Sequence, residues 1–348
     1  MALPKIDASY LVEFLTALLN TPSPTGFSEA GIRCVEEAFQ GFAGLSVQRT
    51  RKGALLITIP GEVDDAPRMV TAHVDTLGAM VKEIKPNGRL IFTHIGGYPN
   101  HLVEGEGCTI FTNGGKRIRG SILLQYASVH VYGDKVEKAE RSQENMEIRL
   151  DERTGSADET RALGIAVGDF IAIDPRVELN NGFIRSRHLD DKACVACLAA
   201  AARALTDAGL KPRQKTYFLI ANFEEQGHGA AGVPEDVAEF LVADMAAVGV
   251  GQTSDEFHAT LCVKDSSGPY HHGLSQRLRR LAEENGIEYR VDIYPYYGSD
   301  GSALQRTGRD VAVALIGPGV DASHNYERTH LDALTDTTRW ILAYLLND

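Results

Sequence analysis

The character of the sequence changes twice, near residue 80 and near residue 178, and this limits the folds open to the chain. Outside these points, amphipathic helical patterns alternate with short apolar runs, which is typical of an α/β domain. Between them, short alternating runs are separated by Asn-Gly and Gly-Gly turns, which predicts an all-β unit. We therefore expect an α/β domain formed by residues 1–79 and 178–348, interrupted by a small all-β insertion at 80–177.

Individual elements follow from the same periodicities. Helices are expected at 8–20, from Ser28 onward, at 191–205, near 234–241, at 274–285 and at 335–346. Strands of the α/β domain are expected at 55–59, 69–73, 215–222, 246–250, 289–294 and 311–316. Strands of the insertion are expected at 90–94, 117–124, 146–150 and 170–173.

Net charge, cysteine content and the lack of long apolar stretches limit the partners and the cellular location that we expect. The net charge of −12 over 348 residues argues against a nucleic-acid backbone or an anionic membrane surface as partner. The five cysteines are scattered and odd in number, which does not fit a disulfide framework. Because the N-terminus lacks a basic signal-peptide start and no stretch of 18 apolar residues occurs, we expect a cytoplasmic protein.

Histidines and carboxylates recur where apolar segments end or helices begin. They are His73, Asp75, Asp190, Asp191, Glu224, Glu225, Asp244 and His324. Two imidazoles and at least three carboxylates suffice to hold a pair of divalent cations, with one carboxylate left as a base. This inventory points to a hydrolase.

Two of these fragments carry a specific expectation. Asp75 stands two residues after His73, so its carboxylate is expected to accept the spare imidazole N–H and fix the tautomer. Glu224 and Glu225 follow a strand that should be buried, so one can bind metal while the other acts as general base.

Other fragments are open to simpler explanations. The pair Asp190-Asp191 also suits the start of a helix, where acidic residues favour the dipole. Asp244 and Asp300 could be turn residues, and His330 is a nearby rival to His324. The shared place of the fragments at strand ends favours a common site.

Six segments together resemble one known family. They are AHVDTLGAMV, HLDDKACVACLAAAA, NFEEQGHGAAG, VKDSSGPYHHGL, GSDGSAL and ASHNYERTH. In order and spacing they resemble the tetrahedral (TET-type) metallo-aminopeptidases, some of which carry an older cellulase or endoglucanase label. The resemblance implies a three-layer α/β/α zinc-peptidase-like domain, interrupted by a small PDZ-like or β-barrel insertion for oligomerisation.

The resemblance also implies roles for individual residues. His73, Asp190 and Asp244 would hold one metal, and Asp190, Glu225 and His324 the other, with Asp190 bridging. Glu224 would be the general base and Asp75 would support His73. The Asp190–Asp191 peptide would be cis.

The implied activity is removal of N-terminal residues from short peptides with a free N-terminus by a homo-oligomer, between a dimer and a dodecamer. Zinc is the favoured metal, with cobalt or manganese as alternatives. Three other functions stay open. They are a related metal amidohydrolase such as an N-acyl amino acid deacylase or carboxypeptidase, a metal-independent glycosidase, and a non-catalytic assembly protein.

Overall fold

The computed structural model describes residues 2–348, which form two compact units. The first unit comprises the residues up to Asp75 together with Arg176–Asp348, and the second comprises Thr76–Pro175. The second unit begins at Thr76 rather than at residue 80, because its first strand already starts at Gly78. It ends at Pro175 rather than at 177.

The N-terminal segment of the first unit supplies two helices and three strands. They are α1 (Ala8–Leu19), α2 (Glu29–Gln40), β1 (Ser46–Arg49), β2 (Leu55–Ile59) and β3 (Val63–His73). The side chain of Asp7 caps α1 by accepting the N–H of Tyr10, which satisfies one free donor of the first turn. The last seven residues of β3 are buried, so the strand ends at His73 inside the protein.

The second unit is a closed β-barrel with its own core. Its strands are β4 (Gly78–Ile84), β5 (Leu90–Ile95), β6 (Gly107–Phe111), β7 (Arg117–Leu124), β8 (Met146–Leu150) and β9 (Phe170–Ile173). Short helices α3 (Val129–Tyr132), α4 (Lys135–Lys138) and α5 (Ala157–Ala162) and a 3₁₀ turn at Asn100–Leu102 connect them. The barrel closes in the order β4-β5-β8-β7-β6-β9. The predicted all-β insertion is therefore confirmed.

The C-terminal segment completes the first unit. Its helices are α6 (Leu189–Ala208), α7 (His272–Glu284), α8 (Asp300–Arg306) and α9 (Leu331–Leu346). Its strands are β10 (Glu178–Asn180), β11 (Phe183–Ser186), β12 (Gln214–Ala221), β13 (Glu239–Ala243), β14 (Ala246–Val248), β15 (Ala259–Asp265), β16 (Gly268–Pro269), β17 (Tyr289–Ile293), β18 (Ala312–Asp321) and β19 (Glu327–His330).

The helix predicted near 234–241 is wrong. Residues 239–243 form β13, which pairs in parallel with β3 on one side and β18 on the other. Four of its five residues are buried, so the segment is a continuous apolar run. Periodicity alone does not distinguish such a run from a buried piece of helix.

The sheet of the first unit is parallel at its centre, in the order β12-β3-β13-β18. Its register pairs Ala221 with His73, and Ala243 with Ile316. The carboxyl ends of β3, β12 and β13 therefore meet at one edge, where α/β proteins usually bind ligands. Most of the helices, α1, α2, α6, α7 and α9, contribute to the core on one face, and α8 with several loops covers the other.

Helix α6 lies at the centre of the first face. Its alanines from Ala193 to Ala204 and its two cysteines, Cys194 and Cys197, are buried, which fits small side chains that allow close packing. Among residues 2–348, no helix combines the length and the apolar character needed to cross a bilayer.

Candidate metal centre

The predicted ligands come together at the carboxyl edge of the sheet. His73 is the last residue of β3, Asp244 follows β13, and Glu224 and Glu225 occupy the 3₁₀ turn after β12. The Asp244 backbone packs closely against β18, since a β-carbon at Gly317 would lie 1.7 Å from the Asp244 carbonyl oxygen. Glycine at 317 is therefore required for this approach.

Two overlapping sets of side chains could each hold a metal ion. The first group contains His73, Asp191 and Asp244, and the second group contains His73, Asp190 and Glu225. In each group the ligand atoms lie within 4.8 Å of one another. The structure thus brings together four of the five predicted ligands, His73, Asp190, Glu225 and Asp244.

The grouping differs from the one that the resemblance implied. Asp191 stands in the first group where Asp190 was expected, and His73 rather than Asp190 is common to both groups. The two aspartates are adjacent at the start of α6, where non-helical backbone angles turn their side chains to different neighbours. The peptide between them is cis, as the resemblance implied.

His324 lies beside the second group. Its Nε2 atom is 3.4 Å from Oδ2 of Asp190 and 3.7 Å from Oε2 of Glu225. The residue sits on the loop between β18 and β19 with a φ of 65°, a left-handed conformation that non-glycine residues rarely adopt. Its rival His330 contacts Phe183 and Phe257 instead, so it belongs to an aromatic cluster.

The position of Asp75 corrects one prediction. The acceptor for Nδ1 of His73 is the backbone carbonyl of Asp75 at 2.9 Å, whereas the carboxylate is 3.6 Å away. The carboxylate accepts hydrogen bonds from the Thr25 hydroxyl at 2.7 Å and from the N–H groups of Glu224 and Glu225 at 3.2 and 3.4 Å. Because β3 ends at His73, the two-residue strand spacing no longer sets the direction of this side chain.

This arrangement fixes both the imidazole and the glutamate turn. With Nδ1 of His73 donating to a carbonyl, Nε2 faces Oδ1 of Asp190 at 3.2 Å and Oε2 of Glu224 at 3.6 Å. The ring nitrogen that points into the carboxylate cluster is therefore the one free to bind a cation.

The carboxylates are more crowded than their two histidines can balance. Burial raises the pKa of Glu225 to about 8, and the charge of Asp190 adds to the rise. Burial, with the charge of Asp190, likewise raises the pKa of Asp244 to about 8. Burial raises the pKa of Glu224 well above its ordinary value, and the charges of Asp244 and Asp300 contribute. Burial works against ionisation of Asp190, but its hydrogen bonds with His324 and His73 keep its pKa low.

The donor set fits divalent cations. Oε1 of Glu225 is buried and has no hydrogen-bond partner among residues 2–348, although a buried carboxylate oxygen is ordinarily paired. Imidazole nitrogens and carboxylate oxygens are ligands that zinc and its neighbours accept. Cations between these side chains would supply the positive charge that so many buried carboxylates need.

The sequence model of the M42 glutamyl aminopeptidase family matches residues 53–339, which include every predicted site residue. The chain belongs to the M42 glutamyl aminopeptidase family. This M42 protein is accordingly a metal-dependent aminopeptidase, an enzyme that hydrolyses peptide bonds.

Relatives of this M42 protein cover nearly its whole length. It is 48% identical over 336 residues to the putative aminopeptidase YhfE of Bacillus subtilis, with 96% of each chain covered. A TET aminopeptidase from an archaeon of the Thaumarchaeota superposes with a TM-score of 0.87 at 20% identity, covering 96% of each chain. The TET1 peptidase of Pyrococcus horikoshii, which can assemble into a tetrahedron or a large octahedral shell, gives 0.86 at 22% identity, covering 97% of this chain and all of that one. At such identities the structural likeness establishes the fold.

Two carboxylates in this M42 site had no assigned role from sequence. Glu327, at the start of β19, is buried against the backbone of Asp190 and His324. Asp300, at the start of α8, is also buried, and burial raises its pKa to about 7. Glu327 carries no sequence signal beyond its place in the segment that contains His324.

Proposed function

We propose that this protein removes N-terminal residues from short peptides with a free N-terminus at a centre of two divalent cations. The observation that carries the proposal is the convergence of His73 and four carboxylates into two overlapping groups at one edge of the sheet. A site with two cations a few ångström apart is a recurrent arrangement in hydrolases that cleave amide bonds.

In this proposal Asp190 would be a ligand of both cations. His73 and Asp244 would complete one ligand set, and Glu225 and His324 would complete the other. When bound, the cations would polarise the scissile carbonyl and lower the pKa of water. Asp191 would orient the first set, since its Oδ2 accepts the backbone N–H of His73 at 3.1 Å.

Glu224 would move the proton in the reaction. Its side chain is mostly buried, and its Oε2 atom lies 3.6 Å from Nε2 of His73, at the border of both groups. An ionised carboxylate at this place can take a proton from the attacking water and return it to the leaving amine. Asp75 would hold Glu224 in place, because it accepts the Glu224 backbone N–H.

Two experiments test this function together: blocking the free amine of the substrate, and removing the metal from the protein. The purified protein should hydrolyse aminoacyl-p-nitroanilides, and N-acetylation of the same compounds should abolish hydrolysis. Treatment with a chelator should remove activity, and zinc, cobalt or manganese should restore it, with zinc proposed as the resident metal. Preference for N-blocked substrates would favour a deacylase. Hydrolysis of a glucan that survives chelation would favour a glycosidase instead.

We also propose that the protein forms a homo-oligomer through the barrel unit, and that it works in the cytoplasm. Helix α3 of the barrel exposes Val129 and Val131, with 60% and 71% of their surfaces accessible. Neighbouring exposed valines with Tyr132 beside them are typical of a protein contact. Assembly of the P. horikoshii TET1 peptidase supports the proposal by analogy.

Replacing Val131 with glutamate should therefore reduce the assembled mass. A charge buried at a subunit contact without a partner costs several kcal/mol, roughly enough to shift the assembly toward smaller species. The mass is measured by light scattering coupled to size-exclusion chromatography. Val167→Glu, a change at a similarly exposed valine of the same unit, serves as the control. An unchanged mass in the Val131 variant would remove α3 from the contact.

A further inference from the structure

Glu327 stands outside both candidate ligand groups yet touches the backbone of two proposed ligands. We infer that Glu327 is a positioning residue that ties the turn carrying Asp190 to the loop carrying His324. The inference rests on the proposed metal centre, since Asp190 and His324 are ligands only within it. It adds a residue whose effect on the metal ions is indirect, through the placement of their ligands.

The contacts of Glu327 are two hydrogen bonds from backbone N–H groups. Its Oε2 atom accepts the N–H of Asp190 at 3.0 Å, and its Oε1 atom accepts the N–H of His324 at 3.0 Å. The residue is 1% exposed, so water does not compete for these bonds. Each oxygen holds one of the two chain segments, and the carboxylate links them directly.

The loop that carries His324 needs such a contact. Ala322 and His324 both have positive φ, 57° and 65°, in a segment of three residues. Non-glycine residues stay in this region only when their surroundings fix them. The loop is held within itself by the N–H of Asn325 donating to the Ala322 carbonyl at 2.9 Å. Glu327 adds a second contact to this loop, because its side chain accepts the N–H of His324.

The position of Glu327 is itself well defined. It is the first residue of β19 and pairs with Ser186 of β11, the strand that leads into the turn before α6. One carboxylate therefore contacts the segments beside two neighbouring strands, since Asp190 follows β11 and His324 precedes β19. Any shift of Glu327 would move Asp190 and His324 relative to each other.

The chemistry of the contact calls for a glutamate. The two side-chain oxygens of glutamate each accept one of the two N–H groups. Glutamine has the same shape but places an NH₂ group against one of the two donors. Aspartate keeps the carboxyl group and shortens the side chain by one methylene, so it would not reach both groups. Loss of either bond leaves a buried N–H without a partner.

The test is a titration of the metal-free, full-length protein with Co²⁺, followed by visible absorption. His324→Ala identifies the binding step that depends on His324. Glu327→Gln should weaken that step by about 10–100-fold, the usual effect of altering a group that orients a metal ligand. The other step should weaken less, because it shares only Asp190 with the contacts of Glu327, whereas the step that depends on His324 uses both Asp190 and His324. Glu327→Asp should give the same order of effects.

Glu239→Gln is the matched control, because Glu239 is another largely buried carboxylate, at the opposite end of β13 from Asp244. It should leave both binding steps unchanged. If Glu327 had only a structural role, Glu327→Gln would weaken both Co²⁺-binding steps equally and would lower the melting temperature of the metal-free protein. That result would overturn the inference. Unchanged Co²⁺ binding in both Glu327 variants would overturn it too. If the wild-type protein bound no Co²⁺, the proposed metal centre itself would be contradicted.

Discussion

Replacing Glu224 with glutamine is expected to lower the turnover of aminoacyl-p-nitroanilides by about 10²–10⁴-fold, the range for loss of a general base. The amide cannot accept the water proton, yet it has nearly the same shape as the carboxylate. Glu224 belongs to neither ligand group, so the bound metal per chain should stay at its wild-type value. The two measurements are the steady-state rate and the metal content by elemental analysis.

The control for this variant is Glu235→Gln, the same chemical change at an exposed glutamate in the loop before β13. It should leave both rate and metal content unaltered. Full activity of Glu224→Gln would remove Glu224 from the proton-transfer role. Loss of metal together with activity would instead make Glu224 a ligand.

The second large effect is expected from Asp190→Asn, which should empty both metal positions. Asparagine is neutral, so the variant loses the charge that a bridging ligand shares between two cations. Metal affinity should fall by more than about 100-fold, beyond the effect expected for residues that only orient a ligand. Dialysis against a defined Zn²⁺ buffer, followed by elemental analysis, measures the remaining metal.

Asp207→Asn, at the far end of the same helix α6, is the matched control, because Asp207 is exposed there. Two metal ions per chain in Asp190→Asn would contradict the bridge. Retention of one ion would agree better with the grouping in which Asp191 joins His73 and Asp244.

The α/β domain and its inserted barrel could be predicted because their hydrophobic patterns differ in period. The barrel strands at 117–124 and 146–150 were predicted with the bounds that the structure gives them. The strand at 239–243 was not, since a short apolar run between two parallel neighbours has no period of its own.

The residues of the candidate site could be predicted from the sequence, but the hydrogen bonds between them could not. Strand ends place His73, Glu225 and Asp244 at one edge whatever their exact orientation. The Asp75 carboxylate turned to the backbone of the glutamate turn, a contact across 149 residues of sequence. Glu327 contacts the backbone of Asp190, 137 residues away, and a backbone N–H leaves no mark in the sequence.

The proposed function requires two cations that share one cluster of buried carboxylates. Anomalous scattering from crystals of the zinc-loaded protein, collected on both sides of the zinc edge, tests this most directly. We expect two peaks per chain, both in contact with Asp190, one beside Asp244 and the other between Glu225 and His324. A single peak, or none among these side chains, would contradict it.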